Sequence, residues 1–301
     1  MKRGLPTAAL VLAAAVLVGL LALRPEGVHT VEEMDRLDGM VSVGALDWYR
    51  GKCSESVAIY TLTYLSDGLE ISGFLALPYD YADQQYPVII LNRGGNDRFG
   101  PMTASWAASY AQAGYIVLAS QYREGPGSEG TDTMGGDDVN DVIKLIDFAG
   151  QLAFADRENI FMVGASRGGL MTYRVLAMDD RIRAAVSVAG VSDVIGNYND
   201  RVDGMKAVYE RCIGGAPEEL PEEYERRSAV CWADKINTPL LLLHGDADGR
   251  VDVSQSVRLA EELEKYGKEY KLIIYPGADH SLAGAEGIPE LFDWLESHRK
   301  P

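Results

Sequence analysis

The segment Gly164-Ala165-Ser166-Arg167-Gly168 has the pattern G-x-S-x-G. It follows the apolar run Ile160-Phe161-Met162-Val163 and precedes a helix-forming run at 170–178. A serine hydroxyl becomes a nucleophile when a base takes its proton and fixed donors hold the oxyanion it creates. This spacing suits that chemistry. The two glycines permit a tight, strained strand-to-helix turn that lifts the hydroxyl out of the sheet edge, where flanking side chains would clash. The turn also places the backbone N–H of Arg167 at a helix N-terminus, where a developing oxyanion is stabilised.

The base comes from a short field, because the chain has only four histidines. His29 precedes the sheet-forming runs, and His298 sits on a polar helix end near the C-terminus. His244 ends the run Leu240-Leu241-Leu242-Leu243, where a turn or sheet-edge role is expected. His280, in the loop Pro276-Gly277-Ala278-Asp279-His280 after the last strand, is therefore the candidate base. With the chain order serine, acid, histidine, the acid belongs to the segment after 239–243, which offers Asp246, Asp248 and Asp252. Position alone leaves these open, with Asp252 the weakest. The acid would hold the imidazole tautomer and stabilise the imidazolium. A second oxyanion donor is expected from the loop Asn92-Arg93-Gly94-Gly95-Asn96 after the first central strand.

These residues need a scaffold that delivers loops to one edge. Residues 57–64 and 69–77 alternate around Ser66-Asp67-Gly68, a hairpin pattern. Short, nearly all-apolar runs follow at 87–91, 115–119, 160–163, 184–188, 239–243 and 271–275. Such runs are strands buried on both faces, as in a parallel sheet. Helical patterns separate them at 102–113, 137–148, 169–178, 254–266 and 288–298. The expected fold is a three-layer α/β sandwich with a mostly parallel mixed sheet. Residues 194–236 break the alternation as a polar helical insertion, whose Tyr198, Tyr209, Tyr224 and Trp232 are candidates for the acyl or P1 pocket. Those aromatics serve core packing equally well.

At 301 residues the chain can bury a core without metal or disulfide staples. Its formal charge of −17 repels phosphate backbones and argues against nucleic-acid binding. Its cysteines include no CxxC pair, so a zinc ribbon is excluded, and the chemistry needs neither metal nor organic cofactor. Gly125-Pro126-Gly127-Ser128-Glu129-Gly130 satisfies G-x-G-x-x-G. No helix opens at its last glycine and Glu129 would face a phosphate, so it is expected to be a structured loop. At the N-terminus, Lys2-Arg3 precede the uncharged stretch 5–23, long enough to span a bilayer. Residues 1–25 are read as a membrane anchor with the rest exported, a cleaved signal being the alternative. Residues 26–56 are a linker or N-terminal extension, and 57–301 the catalytic domain. Export would allow Cys212 and Cys231, 19 positions apart, to pair.

Taken in order, Asn92-Arg93-Gly94-Gly95, the segment 121–130 from Gln121-Tyr122-Arg123, Gly164-Ala165-Ser166-Arg167-Gly168-Gly169, His244-Gly245-Asp246-Ala247-Asp248 and Gly277-Ala278-Asp279-His280 resemble the catalytic domain of the prolyl oligopeptidase family, within the α/β-hydrolase fold. The resemblance covers residue 57 to the C-terminus. It implies Ser166 as nucleophile, His280 as base and, as the aspartate four residues after the histidine of His-Gly, Asp248 as acid. Where several relatives place a tyrosine or histidine as a side-chain oxyanion donor, this chain has Arg93, which would do the same work or pair with an acidic loop. Family members that are well-defined oligopeptidases carry a β-propeller before this domain, and none is expected in residues 26–56. The implied activity is cleavage of small peptides through an acyl-enzyme. A carboxylesterase or deacetylase with the same residues is the alternative, and an inactive binding scaffold a remote one.

Overall fold

The computed structural model describes residues 27–46, 56–96, 99–201, 204–282 and 289–301. Among these, nine strands form one sheet in the order β1-β2-β3-β5-β4-β6-β7-β8-β9. β2 (Val57–Ser66) and β3 (Leu69–Pro78) form the antiparallel hairpin, turning at Asp67 and Gly68, both with positive φ. That conformation matches the right-handed strand twist, and Asp-Gly adopts it readily. The apolar runs become β4 (Tyr86–Asn92), β5 (Ile116–Ser120), β6 (Ala155–Ala165), β7 (Ala184–Val188), β8 (Leu240–Gly245) and β9 (Tyr270–Tyr275), and their pairings with one another are parallel. β5, β7 and β8 are buried at every position, which is why they carry no polar alternation.

Helices cover both faces. On one, α1 (Ala104–Gln112) and α8 (Pro289–Ser297) pack Ala107, Ala108, Leu291 and Leu295 against Ile89, Val117 and Val186 of the sheet. On the other, α2 (Val139–Ala149), α3 (Arg167–Leu176) and α7 (Ser254–Lys265) share a core with Val88, Ile90 and Leu242. This is the three-layer α/β-hydrolase arrangement with an open, mostly parallel mixed sheet. Between β7 and β8 the expected helical insertion folds as α4 (Val194–Asp200), α5 (Met205–Ile213) and α6 (Pro221–Arg227), followed by two short 3-10 turns.

The segment before residue 57 holds one element that periodicity missed. Met40–Ala45 is β1, antiparallel to β2 at the sheet edge, and only Met40 is buried in it. An edge strand exposed along most of its length carries little hydrophobic signal. Val31–Arg36 is a 3-10 helix that buries Val31 and Met34. The N-terminal apolar stretch lies outside the described residues. Among the described residues no helix is long and apolar enough to cross a membrane. The expected Cys212–Cys231 pairing is corrected: both are free thiols, Cys212 buried inside α5 and Cys231 exposed in a 3-10 turn. Burial pushes the Cys212 thiol up to about 12, which removes it from thiolate chemistry.

Candidate active site

Parallel strands deliver their C-terminal ends to one edge, and all the singled-out loops leave from there. Ser166 follows β6 directly and adopts φ 57°, ψ −121° before α3 begins at Arg167. For a residue with a side chain this is a strained backbone, of order 1–3 kcal/mol. The close packing around the turn fixes it. A Cβ at Gly168 would lie 2.2 Å from the Asn92 carbonyl oxygen, and one at Gly164 would lie 2.1 Å from that of Gly168. The serine is thus pinned where strand, helix and the end of β4 meet. Arg167 N–H is the first amide of α3, one of the donors that no helical carbonyl can satisfy.

Of the three candidate aspartates, one contacts the candidate base. His280 Nδ1 and Asp248 Oδ2 are 2.7 Å apart. Asp248 Oδ1 accepts the amides of Arg250 (2.8 Å) and Val251 (3.0 Å). Burial pushes the Asp248 carboxyl up, but hydrogen bonds from His244, His280 and the two amides hold it well below the usual carboxylate range. Asp246 instead accepts the Gly277 amide at 2.6 Å and so ties the acid loop to the loop that carries His280. The two backbones run so close that a Cβ at Gly245 would lie 2.2 Å from the Ala278 carbonyl oxygen. Asp252 accepts the Ser254 amide at the start of α7. His244 is fully buried beneath this loop, away from any substrate.

Ser166, Arg167, His280, Gly94 and Gly95 line one cavity of about 300 Å³. Its wall is largely apolar, from Met134, Leu170, Val191 and Met205, with Tyr209 and Asn197 joined by a 2.8 Å hydrogen bond. Of the four aromatics expected in the pocket, only Tyr209 reaches it. Tyr198 bonds Glu210, Tyr224 bonds the Gly215 carbonyl and Trp232 bonds the Glu225 carbonyl, all three packing the insertion itself. Arg201 and Arg250 also line the cavity, and Arg201 Nη1 donates to the Arg250 carbonyl at 2.5 Å. Sequence reasoning missed both, as well as the methionines. Only the fold carries α4 and α5 back over the strand ends.

Arg93, expected either as a side-chain oxyanion donor or as the partner of an acidic loop, does not line this cavity. Its guanidinium is fully buried and donates to the carbonyls of Gln121 (2.9 Å), Gly94 (3.1 Å) and Phe99 (3.3 Å), bracing the Gly94-Gly95 loop from behind. Arg167 shows a parallel arrangement. Its buried side chain ion-pairs with Asp132 and Asp138 and donates to the Gly95 carbonyl at 3.1 Å. Between the two guanidinium groups lies the Tyr122 ring, at 5.1 and 5.0 Å. The acidic residues after the glycine-rich segment 125–130 thus anchor the turn that bears the candidate nucleophile. That segment is a structured loop on β3, where Ser128 Oγ accepts the Ser72 amide at 2.9 Å.

Among the described residues Ser166 Oγ makes no hydrogen bond, and it lines the same cavity as the candidate base His280.

Comparison with known proteins places these features in context. The prolyl oligopeptidase family model matches residues 101–300. The chain is 32% identical over 248 residues to a Bacillus subtilis protein named uncharacterized peptidase YtmA, covering 81% of this chain and 95% of that one. It is 26% identical to acylamino-acid-releasing enzyme 1 of Oryza sativa subsp. japonica, covering 78% of this chain but 33% of that protein. Among solved structures, an acylaminoacyl peptidase of Pyrococcus horikoshii superposes with a TM-score of 0.70 at 25% identity, over 83% of this chain and 43% of that one.

Proposed function

This chain belongs to the prolyl oligopeptidase family of serine peptidases, and from that premise we propose that it hydrolyses peptide bonds of small peptides through Ser166, His280 and Asp248. In the first half-reaction His280 Nε2 takes the Ser166 proton as the oxygen attacks the scissile carbonyl, and Asp248 stabilises the imidazolium. The oxyanion is held by the Arg167 amide and by amides of the Gly94-Gly95 loop. The C–N bond then breaks as His280 returns the proton to the leaving amine. In the second half-reaction water, deprotonated by the same histidine, releases the acyl group from Ser166. The observation that carries this reading is the 2.7 Å His280–Asp248 contact, with His280 lining one cavity together with Ser166, whose strained backbone starts a helix.

A cavity of about 300 Å³ has room for one side chain or acyl group, which supports small substrates. The basic pair Lys2-Arg3 before the apolar stretch 5–23 supports a catalytic domain held outside the cytoplasm, with that stretch as its anchor.

The test is a matched pair of substrates on the full chain, an aminoacyl p-nitroanilide and the corresponding p-nitrophenyl ester, with Ser166→Ala as the blank. Removing the nucleophile in Ser166→Ala is expected to lower kcat by roughly 10⁶-fold and to abolish fluorophosphonate labelling. Anilide turnover that depends on Ser166 supports the peptidase. Ester turnover without anilide cleavage replaces it with an esterase, and an unlabelled wild-type protein replaces both with a binding scaffold.

A further inference from the structure

Asp248 is touched by two imidazoles, and the mechanism above uses only one. His244, the penultimate residue of β8, is completely buried beneath the acid loop. Its Nδ1 lies 2.7 Å from Ser256 Oγ on α7, and its Nε2 lies 2.9 Å from the Val251 carbonyl oxygen and 3.3 Å from Asp248 Oδ2. These partners fix the tautomer. A carbonyl oxygen only accepts, so Nε2 carries a proton, and in the neutral ring Nδ1 accepts from the Ser256 hydroxyl. The Nε2–H then faces both the Val251 carbonyl and the carboxylate oxygen to which His280 is bonded.

Resting on the triad reading, we infer that His244 is a positioning residue for Asp248, holding its carboxylate in the plane and charge state that His280 requires. The carboxylate has two oxygens and four contacts. Oδ1 is held by the amides of Arg250 and Val251, on the chain that immediately follows it. Those two bonds set the loop but leave the outer oxygen free to swing. His244 restrains that oxygen from the sheet side, held there by β8 and by Ser256 of α7, while His280 approaches it from the cavity side. The distances order the two contacts: at 2.7 Å His280 keeps the short bond, and at 3.3 Å His244 steers without displacing it. Binding Val251 with the same proton also keeps the loop from lifting Asp248 away. A general base misplaced by about an ångström forfeits up to roughly 10²-fold in rate, so a restraint of this kind has a kinetic signature.

The experiment uses the full chain with the p-nitrophenyl ester, comparing wild type, His244→Leu, His244→Gln, Ser256→Ala, Asp248→Asn and Ser166→Ala. Leucine removes both ring bonds; glutamine keeps an N–H donor at nearly the Nε2 position. The expected result is a kcat for His244→Leu lowered by roughly 10- to 100-fold with KM close to wild type, and a kcat for His244→Gln restored most of the way. The downfield proton NMR signal of the His280–Asp248 hydrogen bond should shift or broaden in His244→Leu and return in His244→Gln. Should His244→Leu fail to fold, Ser256→Ala decides. It keeps the imidazole and its bond to the Val251 carbonyl but removes the hydroxyl that holds Nδ1, freeing the ring to tilt, and a several-fold loss of kcat with a changed downfield signal is expected. The inference is overturned by a folded His244→Leu protein with wild-type kcat beside an inactive Asp248→Asn, by Ser256→Ala leaving both rate and signal unchanged, or by losses in both His244 variants that only follow the fraction folded. Ester hydrolysis that survives Ser166→Ala overturns the triad reading itself, and that outcome is distinguishable from the others.

Discussion

Asp248 keeps its charge where its side chain meets no solvent, and two predictions follow from how it does so. Asp248→Asn should lower kcat by about 10⁴-fold, because the amide stabilises the wrong imidazole tautomer. By comparison with it, Asp246→Asn should lose only about 1 kcal/mol of loop anchoring, a roughly fivefold effect, since Asp246 holds the Gly277 amide rather than the imidazole. The second prediction concerns pH. In the unfolded chain an aspartate titrates near ~3.9, whereas the folded carboxyl is held well below that range by its hydrogen bonds, against burial. The unfolded state therefore binds more protons between the two values, and stability rises with pH there. The contribution is fully present above the unfolded value and is lost as pH falls through the folded one. Urea unfolding between pH 3 and 5 should give a shallower pH slope for Asp248→Asn than for wild type. An identical slope would mean that the carboxylate contributes no such linkage.

At the scale of elements, the strand-to-helix turn is held from two sides. From below, Gly168 lets α3 approach the end of β4, and Gly168→Ala would force a Cβ to 2.2 Å from the Asn92 carbonyl oxygen. Overpacking of that kind costs about 1–3 kcal/mol or more, read as a lower urea midpoint. From above, the loop carrying Asp132 and Asp138 is drawn onto Arg167. Arg167→Met leaves these buried carboxylates without that guanidinium and should destabilise by about 3–5 kcal/mol. Fluorophosphonate labelling of Ser166 should slow in the same variant, although the residue 167 amide is retained. Equal labelling rates would show that the ion pairs stabilise the fold without shaping the elbow. The pairs were not legible in the sequence. Nothing local to Asp132 and Asp138 says that a guanidinium 29 or more residues away pairs with them.

For the whole molecule, residues 27–46 ahead of the first hairpin belong to the fold. β1 covers the edge of β2, and Met34 is fully buried in the same core as Leu62 and Tyr64. Met34→Ala should cost about 2–5 kcal/mol, measured by denaturant unfolding; a cost under about 1 kcal/mol would make the segment a loose attachment. Deleting residues 27–46 should bare the edge of β2 and promote association between chains. The chain also spans about a third of several larger relatives, while its match to the Bacillus subtilis peptidase runs nearly end to end.

The sequence by itself determined the parallel core, the elbow at Ser166 and the choice of His280 as candidate base. Buried strands must be apolar, a strained turn must be flanked by glycine, and a chain with so few histidines leaves little choice. Between Asp246 and Asp248 spacing was silent, and resemblance had to choose. Geometry gives the reason: both carboxylates bridge the same two loops, but only Asp248 reaches the imidazole. What bounds the cavity was decided by tertiary structure alone. Aromatic side chains fill the interior of the insertion as readily as a pocket wall, so Tyr198, Tyr224 and Trp232 turned inward while Met134, Leu170 and Arg201 reached the site. The buried guanidinium groups of Arg93 and Arg167 follow the same logic. Their partners are backbone carbonyls and distant carboxylates, which come together only when separate loops meet at one sheet edge.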